Sequence, residues 1–317
     1  MELLSSILKN LPDAAALGLV WGIMAIGVYI TFKILDIPDM TVDGTFALGG
    51  CLVAATVSAG WNPVASTLLS ILCGMAAGLV TGILHTKLKI PAILAGILTM
   101  LALYSTNLMI MGGKSNIGLS QFGEQKVDTI LDSISAIFGM SAKTTNIVLG
   151  VVIAALMILI LYWFFGTELG SLIRATGINE AMVRAQGGNT EGMKIIGLII
   201  ANGFVALSGA LVAQIQRYGD VGMGTGTIVI GLASIIIGEV LLGKKSSFKI
   251  RLISVFLGSI IYRVIIAVVL LLGFNPNNLK LLTALLVVIA LSIPVAREYM
   301  MEKKRMKANL KKYEEAE

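Results

Sequence analysis

In a chain whose long stretches are apolar, the residues able to do chemistry are few. One group lies in Leu35 to Gly50, LDIPDMTVDGTFALGG, which sets Asp36, Asp39 and Asp43 beside Met40 and Thr41, with Pro38 and Gly44 among them. A second lies in Tyr218 to Ser234, YGDVGMGTGTIVIGLAS, and carries Asp220, Met223 and Thr225. Small polar groups beside methionines suit a partly apolar solute, because the thioether adapts its shape to aromatic or aliphatic surface. Asn107, Asn202, Glu239 and Arg263 are further polar residues inside apolar runs. Ionisable groups in such places are functional candidates by default and usually pair, so Glu239 and Arg263 are candidates for each other.

Catalytic and metal chemistry find little to work with. His85 is the one histidine, and Cys51 and Cys73, both in apolar stretches, are best explained by packing. These residues assemble neither a metal set nor a Ser–His pair. Gly238 to Lys245, GEVLLGKK, imitates a P-loop, but Lys245 stands where a Ser or Thr must ligate magnesium, and no strand precedes it. The expectation is a chain with no enzymatic activity, no metal and no cofactor of its own.

The elements that must position these residues are membrane spans. Of the 317 residues, 56% are apolar and 13% charged, with a mean hydropathy of +0.91, against roughly 45–50% and about 25% in soluble proteins. The apolar residues form continuous runs of about 15–23 residues, long enough to cross a bilayer core as helices and unlike the alternation of a transmembrane barrel. The expected fold is all-α, a polytopic transmembrane helical bundle of about nine spans, near 14–35, 45–60, 64–84, 91–112, 145–166, 194–216, 227–242, 252–273 and 281–295. Residues 1–296 form the membrane domain and 297–317 a charged tail. The first residues lack the small-residue cleavage pattern of a signal peptide.

Orientation follows from the gaps. His85 to Lys89, Thr167 to Lys194, Lys244 to Arg251 and the tail from Arg297 all carry cations and fall on one side of alternating spans. The positive-inside rule makes that side cytoplasmic, with the N-terminus outside and the C-terminus inside a cell membrane. The net charge of +6 thus reports topology and gives no reason to expect a nucleic-acid partner. In the third span Gly74, Gly78 and Gly82 form a face for close helix approach, within the bundle or between subunits. In the outer segment 114–143, Val127 to Phe138 reads as a short surface helix.

The two chemical groups also resemble each other. Aligning Asp39 with Asp220 sets Thr45 near Gly226 and Thr227, an offset of about 181 residues that the preceding spans share. Those spans run in opposite directions, which makes an inverted internal repeat with a broken helix in each half, a pointer to a transport pathway. Pro38 and Gly44 supply the first break, and Thr41 or Asp43 is placed to cap the second span. An ordinary solvated turn is the plainer alternative.

Leu172 to Lys194, LIRATGINEAMVRAQGGNTEGMK, resembles the coupling segment of ABC-importer permeases of the branched-chain amino acid and ribose type. An entry with Arg174, Ala175 and Gly177 leads to a short helix bearing Asn179, Glu180 and Arg184, followed by Ala185 and Gly187. The turn DMTVDGTFALGG is similar to a subgroup of such permeases proposed for tryptophan or tyrosine and found with a substrate-binding lipoprotein. The likeness runs from about 14 to 295. It implies a type II ABC importer-like fold with a coupling segment at about 167–194, where a helix of about ten residues, polar on one side with Met182 and Val183 on the other, suits a groove on a soluble partner. It further implies a second copy of the chain, two ATP-binding subunits holding ATP and Mg, and an extracytoplasmic substrate-binding lipoprotein. The solute is then an amino acid, with an aromatic one favoured, passing Asp39, Met40, Thr41 and Asp43, then Asp220, Met223 and Thr225, with Asn107 nearby. A nucleoside or sugar permease of the same type, a stand-alone secondary transporter and a channel are the alternatives. A secondary transporter would carry coupling-ion residues and need no docking helix, and no polar ring for a channel is legible.

The topology is open to a labelling test. A cysteine placed at Ser120 should react with an impermeant thiol reagent added outside, and one at Gln186 or Lys307 should be spared. The reverse pattern overturns both the orientation and the coupling assignment.

Overall fold

The computed structural model describes residues 2–119, 128–139, 141–242, 247–275 and 278–314. Ser120, Val127, Lys244 and Lys245 lie outside the described residues. In chain order the elements are α1 (Glu2–Tyr29), which ends in a π-helical turn Ile30–Ile34, α2 (Thr41–Ser58), α3 (Pro63–Thr86), α4 (Ala92–Ile110), β1 (Asn116–Gly118), α5 (Ile130–Phe138), α6 (Ala142–Gly166) and α7 (Glu168–Ile178). There follow α8 (Glu180–Ala185), α9 (Thr190–Gln216), β2 (Tyr218–Asp220), α10 (Thr227–Leu242), α11 (Phe248–Leu271) and α12 (Leu279–Glu314).

Seven helical stretches, from Asn10–Ile34 to Phe248–Leu271, are long and apolar enough to cross a membrane. Thr227–Leu242 and Leu281–Ala290 are shorter apolar helices. The apolar runs of the sequence therefore divide into full-length helices and two short ones, in an all-α multi-pass membrane fold. Local signals set several starts. Asn62 accepts from the amides of Val64 and Ala65, with Pro63 at the first position of α3. Thr129 and Asp132 form a reciprocal capping box that opens α5. The antiparallel pair β1–β2, with Ile117 opposite Gly219, is too short to be marked in the sequence.

Helix α9 is the axis of the packing, with α1, α2 and α3 against it. The glycine face of α3 turns inward onto α9. Gly74 faces the Asn202 carbonyl and Gly78 the Leu198 carbonyl, closely enough that a Cβ at either position would collide with backbone. The four-residue spacing thus serves packing inside the bundle, where close approach maximises van der Waals contact without any hydrophobic drive from lipid.

Side-chain contacts define the two ends. Lys33 pairs with Glu239 at 3.2 Å, Lys87 with Glu191 at 2.8 Å, and Arg174 lies over the Phe248 ring. These gather the end of α1, the α3–α4 turn, α7 and the start of α11 at one end. At the other, Arg217 meets Asp132 and Lys143 meets Asp13.

Substitution Gly78→Val should cost about 1–3 kcal/mol by overpacking and lower the unfolding temperature of the solubilised chain. Gly166→Ala, at a position with nothing within 4 Å, should leave it unchanged. Equal melting of the two variants would mean that the α3–α9 contact is not close-packed.

Candidate functional site

The first break lies between α1 and α2. After the π-helical turn, the Ile37 amide donates to the Thr31 carbonyl at 2.9 Å, and Asp36 takes a left-handed backbone with φ 55°. Asp36 is exposed, whereas Asp39 is fully buried. The Asp39 carboxylate accepts from the Thr41 amide at 2.9 Å and from Asn202 Nδ2 at 2.8 Å. Asn202 Oδ1 in turn accepts from Thr45 Oγ1 at 2.8 Å. The Thr41 hydroxyl lies 2.7 Å from that of Thr81, which donates to Thr99 Oγ1 at 2.9 Å. A solvated turn is excluded by this burial. The expected cap is also corrected: neither the Thr41 nor the Asp43 side chain caps α2, because Asp39 reaches the Thr41 amide and the N-cap residue Met40 offers no side-chain bond.

Asp43 does something the local sequence does not suggest. Its carboxylate accepts from the Gly226 amide at 2.8 Å, the Ile228 amide at 3.0 Å and Thr227 Oγ1 at 2.8 Å. A residue in the first turn of α2 therefore caps α10. Helix N-termini leave amides without intrahelical partners and carry partial positive charge, so a carboxylate there satisfies both. The loop before α10 runs along α2, with Gly219 against Gly50 and Ala54, Met223 against Gly50, and Gly224 against Asp43. The two broken segments meet at this point.

Of the other expected residues, Asp220 accepts from the Gly222 amide at 2.7 Å and shapes its own turn. Asn107 Nδ2 donates to the Gly44 carbonyl at 3.3 Å, and Met40 packs on Gly96. Met223 and Thr225 instead line a cavity of about 420 Å³, together with Trp21, Phe46, Tyr262 and Arg263. The Trp21 and Phe46 rings are 4.8 Å apart, and the Arg263 guanidinium lies 3.7 Å above the Trp21 ring. Arg263 does not pair with Glu239, whose partner is Lys33. Reading for polar residues marks Arg263, but it passes over Trp21, Phe46 and Tyr262, which look like ordinary span residues.

At the end of the bundle that holds Lys33 and Lys87, α7 and α8 form a short rim. Asn179 caps α8 by accepting from the Met182 amide at 3.0 Å. Glu180 accepts from Arg184 at 2.6 Å, Lys194 at 2.7 Å and Thr190 Oγ1 at 3.1 Å. The Lys194 hydrogen bond, outweighing the effect of burial, holds the Glu180 carboxyl below its ordinary value. That contribution is present above the ordinary glutamate range and is lost as pH falls through the lowered pKa. Helix α8 has six residues, not about ten. Val183, expected beside Met182, is turned inward and 2% exposed, while Met182 is 46% and Ile178 84% exposed.

The chain is a bundle of helices long and apolar enough to cross a membrane, interrupted before α2 and before α10, and its class is that of a multi-pass membrane permease. The family described as branched-chain amino acid transport system, permease component, matches residues 10–291, and the chain belongs to that family of ABC-type permeases. It is a transport subunit and not an enzyme. The chain is 44% identical to a tyrosine transport system permease protein of Clostridioides difficile, over 85% of this chain and 86% of that one. It is 30% identical to an uncharacterized protein of Rickettsia prowazekii, over 85% and 92% of the two chains. It is likewise 30% identical to the autoinducer 2 import system permease protein LsrC of Yersinia pseudotuberculosis, over 74% and 64%. No solved structure matches.

Replacing Asp43 by Ala strips three donors of their acceptor and should cost about 0.5–2 kcal/mol, the range for a lost cap. Hydrogen exchange should quicken at the Gly226 and Ile228 amides and stay unchanged in α6. Unaltered exchange at Gly226 and Ile228 would show that the cap does not hold α10.

Proposed function

We propose that this chain is the permease subunit of an ATP-driven ABC importer that gives passage to an amino acid, an aromatic one by preference, delivered by an external binding protein. The observation that carries this reading is the Asp43 cap on α10. It joins the two broken segments whose sequences are alike, inside a helical membrane bundle, and in an inverted repeat such segments line the solute pathway. The tyrosine permease relative supports the choice of solute. The polar residues Asp39, Thr41, Asn107 and Asp220 hold the junction in shape, while Asp43, Met223 and Thr225 border the route and Met40 packs beside it.

In this reading the end bearing Lys33, Lys87 and α8 is cytoplasmic, as is the charged tail from 297, in accord with the positive-inside rule. Ile178 and Met182, apolar and exposed, offer the contact to an ATP-binding subunit. Asn179, Glu180 and Arg184 act behind that contact: Asn179 starts α8, and Glu180 ties it to α9 through Lys194. A shift imposed on α8 would be passed to α9 and so to Asn202 and the junction. ATP and Mg belong to the partner subunits, and a second copy of the chain and a substrate-binding lipoprotein complete the assembly.

Cells lacking the chain should lose uptake of labelled tyrosine at micromolar supply, and uptake should return with the restored gene and depend on ATP. Proton- or sodium-driven uptake by the chain alone in liposomes overturns the importer reading. In the assembled complex, Ile178→Glu with Met182→Glu should lower substrate-stimulated ATP hydrolysis several-fold while leaving the melting of the permease unchanged. Full stimulation in that variant places the contact elsewhere.

A further inference from the structure

Arg263 sits in the middle of α11, in a stretch of membrane-crossing length. A charge in that position is costly unless an anion or a polar network compensates it. Among the described residues it has no carboxylate partner. The acidic groups nearby are committed elsewhere, Glu239 to Lys33 and Asp43 to the start of α10. Its Nε is buried without a hydrogen-bond partner, and so is Nε1 of Trp21, the ring on which it lies. The two orphan donors belong to residues that line the same cavity.

The rest of the cavity wall has a definite chemistry. Phe46 and Tyr262 are buried aromatic surface, Met223 is soft and adaptable, and Thr225 adds a hydroxyl. The Tyr262 hydroxyl is engaged with Thr283 at 3.2 Å. A volume of about 420 Å³ falls within the roughly 300–1,000 Å³ of small-molecule sites. The guanidinium carbon lies 3.7 Å from the centre of the Trp21 ring, a contact that steadies the cation, and a guanidinium takes a flat anion through parallel N–H bonds. A neutral sugar or nucleoside would leave this cation uncompensated.

We propose that this cavity is a binding site for an aromatic amino acid, in which Arg263 and the Trp21 N–H take the α-carboxylate and Phe46, Tyr262 and Met223 enclose the side chain. The choice of solute rests on the importer reading; the need for an anion rests on Arg263 and Trp21 alone. Because Met223 and Thr225 belong to the loop whose Gly226 amide Asp43 holds, an occupied cavity bears directly on the junction of the two broken segments.

The test uses the full-length permease in lipid nanodiscs with Trp61→Phe and Trp163→Phe, both exposed positions, so that Trp21 alone reports. L-tyrosine should change its emission saturably, and L-tyrosinamide, which lacks the carboxylate, should bind at least about tenfold more weakly. Arg263→Gln should abolish the response, and Arg263→Lys should restore part of it. Equal binding of the amide, no saturable response to L-tyrosine, or an unchanged response in Arg263→Gln overturns the site. The comparison of the two ligands needs no cavity variant, so a failure of Arg263→Gln to fold does not decide the matter. Normal cellular uptake of tyrosine by the Arg263→Gln permease overturns the site and leaves the importer reading intact. A carboxylate-dependent Trp21 response with no loss of uptake on deleting the chain supports the site and overturns the reading.

Discussion

Non-helical backbone at membrane depth must find every hydrogen-bond partner in protein, because lipid offers none. This chain interrupts its helices before α2 and before α10, and two aspartates carry the resulting obligation. Asp39 holds the Thr41 amide at the start of α2, and Asp43 holds Gly226 and Ile228 at the start of α10. Removing either carboxylate would leave helix-start amides without an acceptor, at the cost of about 0.5–2 kcal/mol for a lost cap, so the starts of α2 and α10 both depend on these two side chains. Their position explains the order of everything near them. The loop 219–226 lies along α2 with its far end bonded to Asp43, and its Met223 and Thr225 line the cavity beside it.

The same condition shapes the packing. Asp39 reaches Asn202 only if α9 comes close to α2 and α3, and bare backbone on both sides permits this: Gly49 faces Ala206, Gly74 faces Asn202 and Gly78 faces Leu198. Small residues and buried polar groups therefore work as one device. The polar groups specify the register of the helices, and the glycines let them approach to the distance at which those bonds close.

Much of this was readable along the chain, and the parts that were not share a cause. Continuous apolar runs, glycine spacing and the like pattern around Asp39 and Asp220 are local signals, and they led to an all-α membrane bundle and to two segments that meet. The role of Asp43 was hidden because a sequence reading seeks the cap of the helix that follows, and Asp43 serves one that begins at Thr227. Glu239 and Arg263 looked like mutual partners as charged residues of neighbouring spans, but Lys33 at the end of α1 lies nearer to Glu239. Val183 was misplaced because six residues are too few for a helical period to show a face. The aromatic wall around Arg263 had no signal at all, since Trp21, Phe46 and Tyr262 are as apolar as the lipid-facing residues beside them.

The bonds that close the junction join residues far apart in order of synthesis: Asp39 waits for Asn202, 163 positions on, and Asp43 for Gly226, 183 positions on. At about 5–20 residues per second, the ribosome takes on the order of ten to forty seconds to supply those partners. For that interval Asp39 holds the Thr41 amide but lacks Asn202, and Asp43 lacks all three of its donors at the start of α10. Only a chain translated past Ile228 holds every partner that the aspartates of its beginning use.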